Sequence, residues 1–240
     1  MCGVVGYKGK KTPFSLGVFK ELLVQSQIRG KHATGISYVL NGVIKTIKEP
    51  IPAEDFISYK TFGELTISEE EELTIIGHCR YSTSDLEYNQ PIADEKLAIA
   101  HNGVITQSSP EFWEEQYNYR CATKNDSELL FHTLKNRLHP LFEFQNASIA
   151  CCAIENNDLM FFRNGQRPLW YFKLKDGIFV ASTKDILLRT FRGDYGFKKC
   201  NPNSVYIFDS KLKEIRTDSP FVKDLQTETK IQSYYKKIKI

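Results

Sequence analysis

Cys2 stands one residue behind the initiator methionine, and its small side chain is of the kind that lets an aminopeptidase remove Met1. The mature chain would then start with a residue carrying both a thiol and a free α-amine. A model α-amine titrates at about 7.7 to 8 and a thiol at about 8.5, so near neutrality the amine can take the thiol proton at little cost. This is the N-terminal-nucleophile form of the nucleophile and base pairing that serves acyl transfer. By itself the position also suits an inert buried or processed cysteine.

Further segments gather polar chemistry where ordered elements end. Arg29-Gly30-Lys31-His32-Ala33-Thr34-Gly35-Ile36 is a polar, glycine-flanked turn running into a strand. Gly77-His78-Cys79-Arg80-Tyr81-Ser82-Thr83 closes a strand with a guanidinium and hydroxyls. Ala100-His101-Asn102-Gly103-Val104-Ile105 closes another with an amide side chain and a flexible backbone. Lys124-Asn125-Asp126-Ser127-Glu128 opens a helix with a carboxylate. Taken singly each has a plain structural reading; Asn102-Gly103 alone would read as a hairpin turn.

These residues need elements to hold them. Short runs rich in Val, Ile, Phe and Tyr predict strands at Cys2–Tyr7, Ile36–Leu40, Val43–Ile47, Leu73–His78, Leu97–His101, Ser148–Ile154, Leu159–Phe162, Leu169–Leu174, Ile178–Ala181 and Ser204–Asp209. Turn pairs such as Asn41-Gly42 and Asp176-Gly177 imply antiparallel hairpins. Apolar residues at helical spacing predict helices over Ser15–Ser26 and Ser127–Leu138, the second with Asn125 and Asp126 where an N-cap belongs. Further helices are expected at Pro110–Tyr119 and Lys184–Thr190. A few helices among many strands argue for an α+β layered fold.

At 240 residues the chain can bury a self-sufficient core, and no linker-like tract divides it. With 32 Lys plus Arg against 29 Asp plus Glu, the charge is too near balance to drive binding to nucleic acid or anionic membrane. The apolar run Ala147–Ile154 falls well short of the roughly 20 residues that cross a bilayer, and the start does not read as a secretory signal, so a cytoplasmic address is expected. The six cysteines lack framework spacing and any Cys-x-x-Cys pair, which favours reduced, mostly buried thiols. No pair of histidines has ligand spacing, so no metal site is expected; His78 and His101 read as hydrogen-bonded core groups. Nucleotide-binding glycine motifs are absent.

Together, in this order, the motifs resemble the class II glutamine amidotransferase domain, a branch of the N-terminal-nucleophile hydrolases. The resemblance runs from residue 2 to about 190 and takes in Arg163-Asn164-Gly165-Gln166-Arg167-Pro168-Leu169 and Phe179-Val180-Ala181-Ser182-Thr183-Lys184-Asp185. It implies a four-layer αββα sandwich of two mainly antiparallel sheets flanked by helices, occupying residues 2–222, with 223–240 as a polar basic tail. It also implies that Cys2 attacks the side-chain amide of L-glutamine to form a thioester and release ammonia, with no cofactor. Asn102 and Gly103 would form the oxyanion hole. Arg80 would hold the substrate carboxylate through a guanidinium fork, Asp126 would hold its ammonium, and Tyr81, Thr83 and Arg29 would complete the binding site. The pattern departs from the family at His32, where an Asp is usual, and at Ser84, where a histidine is usual.

Three functions fit this resemblance. The leading one is a glutaminase that supplies ammonia to a synthase on a separate chain. A second keeps the nucleophile but hydrolyses another γ-glutamyl amide, since Arg80 and Asp126 recognise only the glutamyl end. The third, a catalytically silent regulatory subunit, has no physical need for Cys2, Arg80, Asn102, Gly103 and Asp126 together.

Overall fold

The computed structural model describes residues 1–216 apart from 59–61, 64, 66–70, 83–87, 145 and 203. The expected tail therefore lies outside the described residues. The first sheet is built from strands β1 (Gly3–Lys10), β2 (Ala33–Leu40), β3 (Val43–Glu49), β4 (Glu72–Arg80), β9 (Trp170–Leu174), β10 (Gly177–Ala181) and β11 (Lys198–Lys199), ordered β11-β9-β10-β1-β4-β2-β3. The second contains β5 (Ile92–Ala93), β6 (Leu97–His101), β7 (Ala150–Glu155), β8 (Asp158–Arg163), β12 (Ser204–Phe208) and β13 (Leu212–Arg216), ordered β13-β12-β8-β7-β6-β5. All described pairings are antiparallel. The helices are α1 (Pro13–Ser26), α2 (Ala53–Phe56), α3 (Trp113–Tyr117), α4 (Ser127–Lys135), α5 (Pro140–Glu143) and α6 (Lys184–Phe191).

The period-two alternation of the strands creates the layers. In β1, Val5 and Tyr7 pack with α1 and α6 residues such as Phe19, Leu23, Ile186 and Leu187, whereas Val4 joins the core between the sheets. In the second sheet Ile99, Ala153, Phe162 and Val205 meet Leu130 and Leu134 of α4, while Ala98, Ala100, Cys152 and Phe161 face the first sheet. The result is the αββα sandwich. The sheets approach closely at Gly6, where an added Cβ would lie 3.2 Å from Leu159 Cδ1 and 3.4 Å from Cys152 Sγ.

Local chemistry explains most of the boundary differences. Helix α1 starts at Pro13 because Thr12 and Ser15 form a reciprocal capping box ahead of it. Asn41 and Gly42 adopt φ 52° and 73°, as a type I′ hairpin turn requires. Helix α4 ends at Lys135, short of Leu138, with Arg137 at φ 62° turning the chain away. At the other end of α4 the N-cap expectation needs correction. Asn125 Oδ1 accepts the Ser127 N–H at 3.2 Å, but the Asp126 side chain makes no capping bond. No described helix is long and apolar enough to cross a membrane.

Candidate active site

Cys2 precedes β1 in the first sheet and Asn102 follows β6 in the second, so the two meet at the seam between the sheets. The Cys2 backbone N–H donates to Asn102 Oδ1 at 3.2 Å. That bond fixes the amide orientation of Asn102 and leaves its Nδ2 buried with no hydrogen-bond partner. An unmade buried donor costs about 1 to 3 kcal/mol, a cost that a site tolerates where a ligand supplies the acceptor.

Next to it, the N–H groups of Asn102 and Val104 go to the Ala150 and Ser148 carbonyls, and no described backbone acceptor takes the Gly103 N–H. A Cβ on residue 103 would lie 1.6 Å from the Ser148 carbonyl oxygen. Glycine is needed here for close approach, not for a positive φ, since Gly103 is absent from the left-handed region occupied by Gly42 and Gly196. Nor is Asn102-Gly103 a hairpin turn; it leads from β6 into a bridge between Val104 and Ser148.

Two guanidinium groups flank the N-terminus. Arg29 Nε donates to the Cys2 carbonyl at 2.7 Å, and Arg29 Nη2 and Arg167 Nη1 both lie 3.5 Å from Met1 Sδ. Burial pulls the Arg29 pKa down, the nearby Cys2 opposes this and Arg167 adds to it. Met1 itself is exposed. Beneath Cys2, burial drives the Cys79 thiol far above its usual range, so among neighbouring thiols Cys79 is inert.

The β1 and β4 register pairs Gly3 with Cys79, which sets Arg80 level with Cys2. Gly30 packs so tightly on the Arg80–Tyr81 peptide that an added Cβ would lie 2.3 Å from Arg80 C. Arg80 Nη1 donates to the Tyr88 carbonyl at 2.8 Å and to Asn89 Oδ1 at 2.7 Å. The same Tyr88 carbonyl accepts from Asn125 Nδ2 at 3.0 Å. Asp126 Oδ2 accepts from the N–H groups of Ile105 at 2.6 Å and Thr106 at 3.3 Å, anchoring the carboxylate beside the chain that leaves Gly103. Tyr81 is half exposed and its ring lies 5.2 Å from that of His32, whose Nδ1 accepts the Ser82 N–H at 2.9 Å. Thr83 and Ser84 lie outside the described residues.

A buried polar cluster lies behind Asn102 and Gly103. The His101 ring bonds Ser127 Oγ through Nδ1 at 2.8 Å and the Ser148 carbonyl through Nε2 at 3.2 Å, while the His101 backbone N–H donates to Gln90 Oε1 at 2.6 Å. Gln90 Nε2 completes the loop with Ser127 Oγ at 3.0 Å, and Arg167 Nε bonds Ser148 Oγ at 3.2 Å. Sequence reasoning assigned no role to Gln90, Ser148 or Arg167; only Arg167 lay within a motif that had been singled out. His78 departs from its expectation: it is fully buried and neither ring nitrogen has a hydrogen-bond partner. Burial, with Arg80 and His101 nearby, lowers its pKa to about 3.

Residues 78–189 match a family described as a glutamine amidotransferase domain. Glutamine–fructose-6-phosphate aminotransferase (isomerizing) of Bartonella henselae is 30% identical over 207 residues, covering 76% of this chain and 32% of that protein. Amidophosphoribosyltransferase of Pyrococcus horikoshii is 30% identical over 213 residues, covering 79% of this chain and 44% of that protein. The chain thus spans less than half the length of these curated relatives. The fold matches that of glutamine phosphoribosylpyrophosphate amidotransferase from B. subtilis, with a TM-score of 0.68 at 22% identity over 90% of this chain and 49% of that one. A class-II glutamine aminotransferase domain protein from Silicibacter pomeroyi matches with a TM-score of 0.57 at 12% identity, over 91% of this chain and all of that one. The chain belongs to the class II glutamine amidotransferase domain family, within the N-terminal-nucleophile hydrolases.

Proposed function

We propose that this chain is a glutaminase that hydrolyses the side-chain amide of L-glutamine through a Cys2 thioester. The observation that carries the reading is the pairing of Cys2 with Asn102 and Gly103, which sets two unclaimed donors beside the nucleophile. Once Met1 is removed, the Cys2 nitrogen held by Asn102 Oδ1 becomes the α-amine and takes the thiol proton. The sulfur attacks the amide carbon, and the carbonyl oxygen gains its charge between Asn102 Nδ2 and the Gly103 N–H. The resulting ammonium returns the proton to the leaving nitrogen as the carbon–nitrogen bond breaks, so ammonia departs. Water, deprotonated by the same amine, then adds to the thioester, and glutamate leaves with regeneration of the thiol.

Arg80 and Asp126 are the proposed clamps for the substrate carboxylate and ammonium. Their positions flank the Tyr88 carbonyl that Arg80 and Asn125 share, so both ends of a free amino acid are met by one connected unit. Arg29 is proposed to hold the nucleophile through its carbonyl, and Tyr81 and Thr83 to close the site. The ammonia is proposed to serve a synthase on a separate chain, in a reducing cytoplasm where all six cysteines remain free thiols. Both named relatives are aminotransferases or transferases in which the matched segment is part of a longer protein.

Intact mass and glutamate release, measured on the wild type and Cys2→Ala, test the reading. The expected result is a chain lacking Met1 whose activity vanishes in the variant. Full-rate glutamate release by Cys2→Ala would overturn it. Capture of a synthase with ammonia-dependent activity by the tagged chain would support the separate partner; a glutaminase that channels ammonia only within its own polypeptide would remove it.

A further inference from the structure

On the opposite face of the second sheet from the nucleophile, helix α4 carries Glu128 and His132 one turn apart, and the loop before it folds Cys121 against them. The Cys121 Sγ, a Glu128 carboxylate oxygen and a His132 ring nitrogen all lie within 4.8 Å of one another, with His132 Nε2 3.5 Å from Glu128 Oε1. The expectation of no ligand grouping missed this because Cys121 reaches the helix through a loop and not at a regular spacing.

We propose that Cys121, Glu128 and His132 form a binding site for a divalent, borderline-soft metal ion of the Zn²⁺ class. The donor set is thiol, imidazole and carboxylate, the combination that zinc accepts at about 2.3 Å for sulfur and about 2.0 to 2.2 Å for nitrogen and oxygen. At those bond lengths tetrahedral ligand atoms sit roughly 3.3 to 3.7 Å apart, so the observed grouping needs to tighten by at most about 1.5 Å.

The surroundings are those of a held site. Glu128 is buried, and its two oxygens accept the Ala122 N–H at 2.7 Å, the Thr123 N–H at 2.7 Å and the Thr123 hydroxyl at 2.6 Å. Such outer bonds fix a ligating carboxylate, and Oε1, which accepts only the Ala122 N–H and faces His132, keeps a second lone pair for the ion. The His132 ring is stacked 5.4 Å from Tyr119, which sets its plane, and its Nε2 is buried with no hydrogen-bond partner. A buried ring nitrogen that makes no hydrogen bond, set 3.5 Å from a carboxylate and beside a thiol, is what a cation would satisfy. Cys121 and Tyr119 also line an open cleft of about 640 Å³ that gives the ion a route from solvent.

The role such an ion would play is to pin the 121–123 loop onto α4, immediately after Asp126. This site shares no residue with the proposed glutamine chemistry and stands or falls separately from it.

The test is Zn²⁺ and Co²⁺ titration of the full chain in a Cys2→Ala background, which removes the catalytic thiol as a competing ligand. Competition with a chromophoric chelator should give one Zn²⁺ per chain at sub-micromolar Kd. Co²⁺ should give a sulfur-to-metal charge-transfer band in the near ultraviolet, and bound Zn²⁺ should slow alkylation of Cys121. Cys121→Ser should abolish the charge-transfer band, and Cys121→Ser and His132→Gln should each weaken Zn²⁺ binding at least 100-fold. Glu128→Gln is a poorer probe because it removes the loop's own acceptor. Absence of stoichiometric binding, or binding unchanged in both Cys121→Ser and His132→Gln, overturns the proposal.

Discussion

Asn102 Oδ1 accepts the backbone N–H of Cys2 at 3.2 Å, joining residues 100 positions apart in sequence across the seam of two sheets. Under the proposed chemistry one amide would thereby have two duties: its oxygen holds the Cys2 nitrogen, and its unpartnered Nδ2 serves the developing oxyanion.

Asn102→Asp separates these duties. The acceptor for the Cys2 nitrogen is kept while the oxyanion donor is replaced by a negative charge. We expect kcat for glutamate release to fall by about 100- to 1,000-fold or more, about 3 to 4 kcal/mol of transition-state stabilisation, with the thermal transition little changed. Steady-state kinetics beside a melting curve would check this; an unchanged kcat would remove Asn102 from the oxyanion hole.

At residue 103 the constraint is steric. Gly103→Ala places a methyl 1.6 Å from the Ser148 carbonyl, so the bridge from Val104 to Ser148 must open. Overpacking of this kind typically costs about 1 to 3 kcal/mol, and activity should be lost with it. Gly165→Ala, whose Cβ would meet nothing within 4 Å, serves as the control and should leave stability within about 0.5 kcal/mol. Urea denaturation of both variants would discriminate.

For substrate recognition, Arg80→Lys and Asp126→Asn should raise the KM for glutamine by more than 10-fold. Lysine cannot reproduce the bonds from one guanidinium nitrogen to the Tyr88 carbonyl and Asn89 while also offering a fork to a carboxylate. Asparagine keeps an oxygen for the Ile105 and Thr106 N–H groups but loses the charge that pairs with an ammonium. A KM for glutamine unchanged in Asp126→Asn would remove the ammonium assignment. A panel of substituted γ-glutamyl amides separates glutamine from its analogues, because only the leaving amine differs among them.

Acid should weaken the fold through His78. Its folded pKa of about 3 lies below the unfolded value of 6.5, so the unfolded chain binds the proton first. Stability is therefore complete above about pH 6.5 and is lost as pH falls from there toward 3; by pH 5 this one group accounts for about 2 kcal/mol. His139, lowered to about 4 by burial, adds to the same trend. His78→Leu removes two unpartnered nitrogens as well as the titration, so it should be neutral or stabilising at pH 7 and flatten the fall in melting temperature between pH 7 and 5. An equally steep fall in the variant would exonerate His78.

The longer elements were legible because their side chains repeat with a period. Leu97–His101 alternates between helix layer and sheet seam and was placed at its observed limits. The strands Ile92–Ala93 and Lys198–Lys199 are two residues long and carry no period to detect. At the candidate site neither Cys2 nor Asn102 is decisive alone, and it is their order along the chain with Arg80 and Asp126 that singles them out. Asp126 was read as a helix cap because its neighbours in sequence suggest one, but its acceptor is taken by the backbone of 105–106, which arrives from another part of the chain. The polar loop of Gln90, His101 and Ser127 is likewise a product of tertiary arrangement that no spacing announces.

The seam itself has a further consequence. Cys2 leads into one sheet and Asn102 follows a strand of the other, and the layer between them sets small residues, Gly6, Ala98, Ala100 and Ala150, among larger ones such as Phe161 and Tyr206. A sideways slip of one sheet over the other, too slight to register as unfolding, would part Cys2 from Asn102. In the proposed mechanism turnover would thus report on the alignment of the sandwich, and enlarging an alanine deep in the seam would detune the chemistry from a distance.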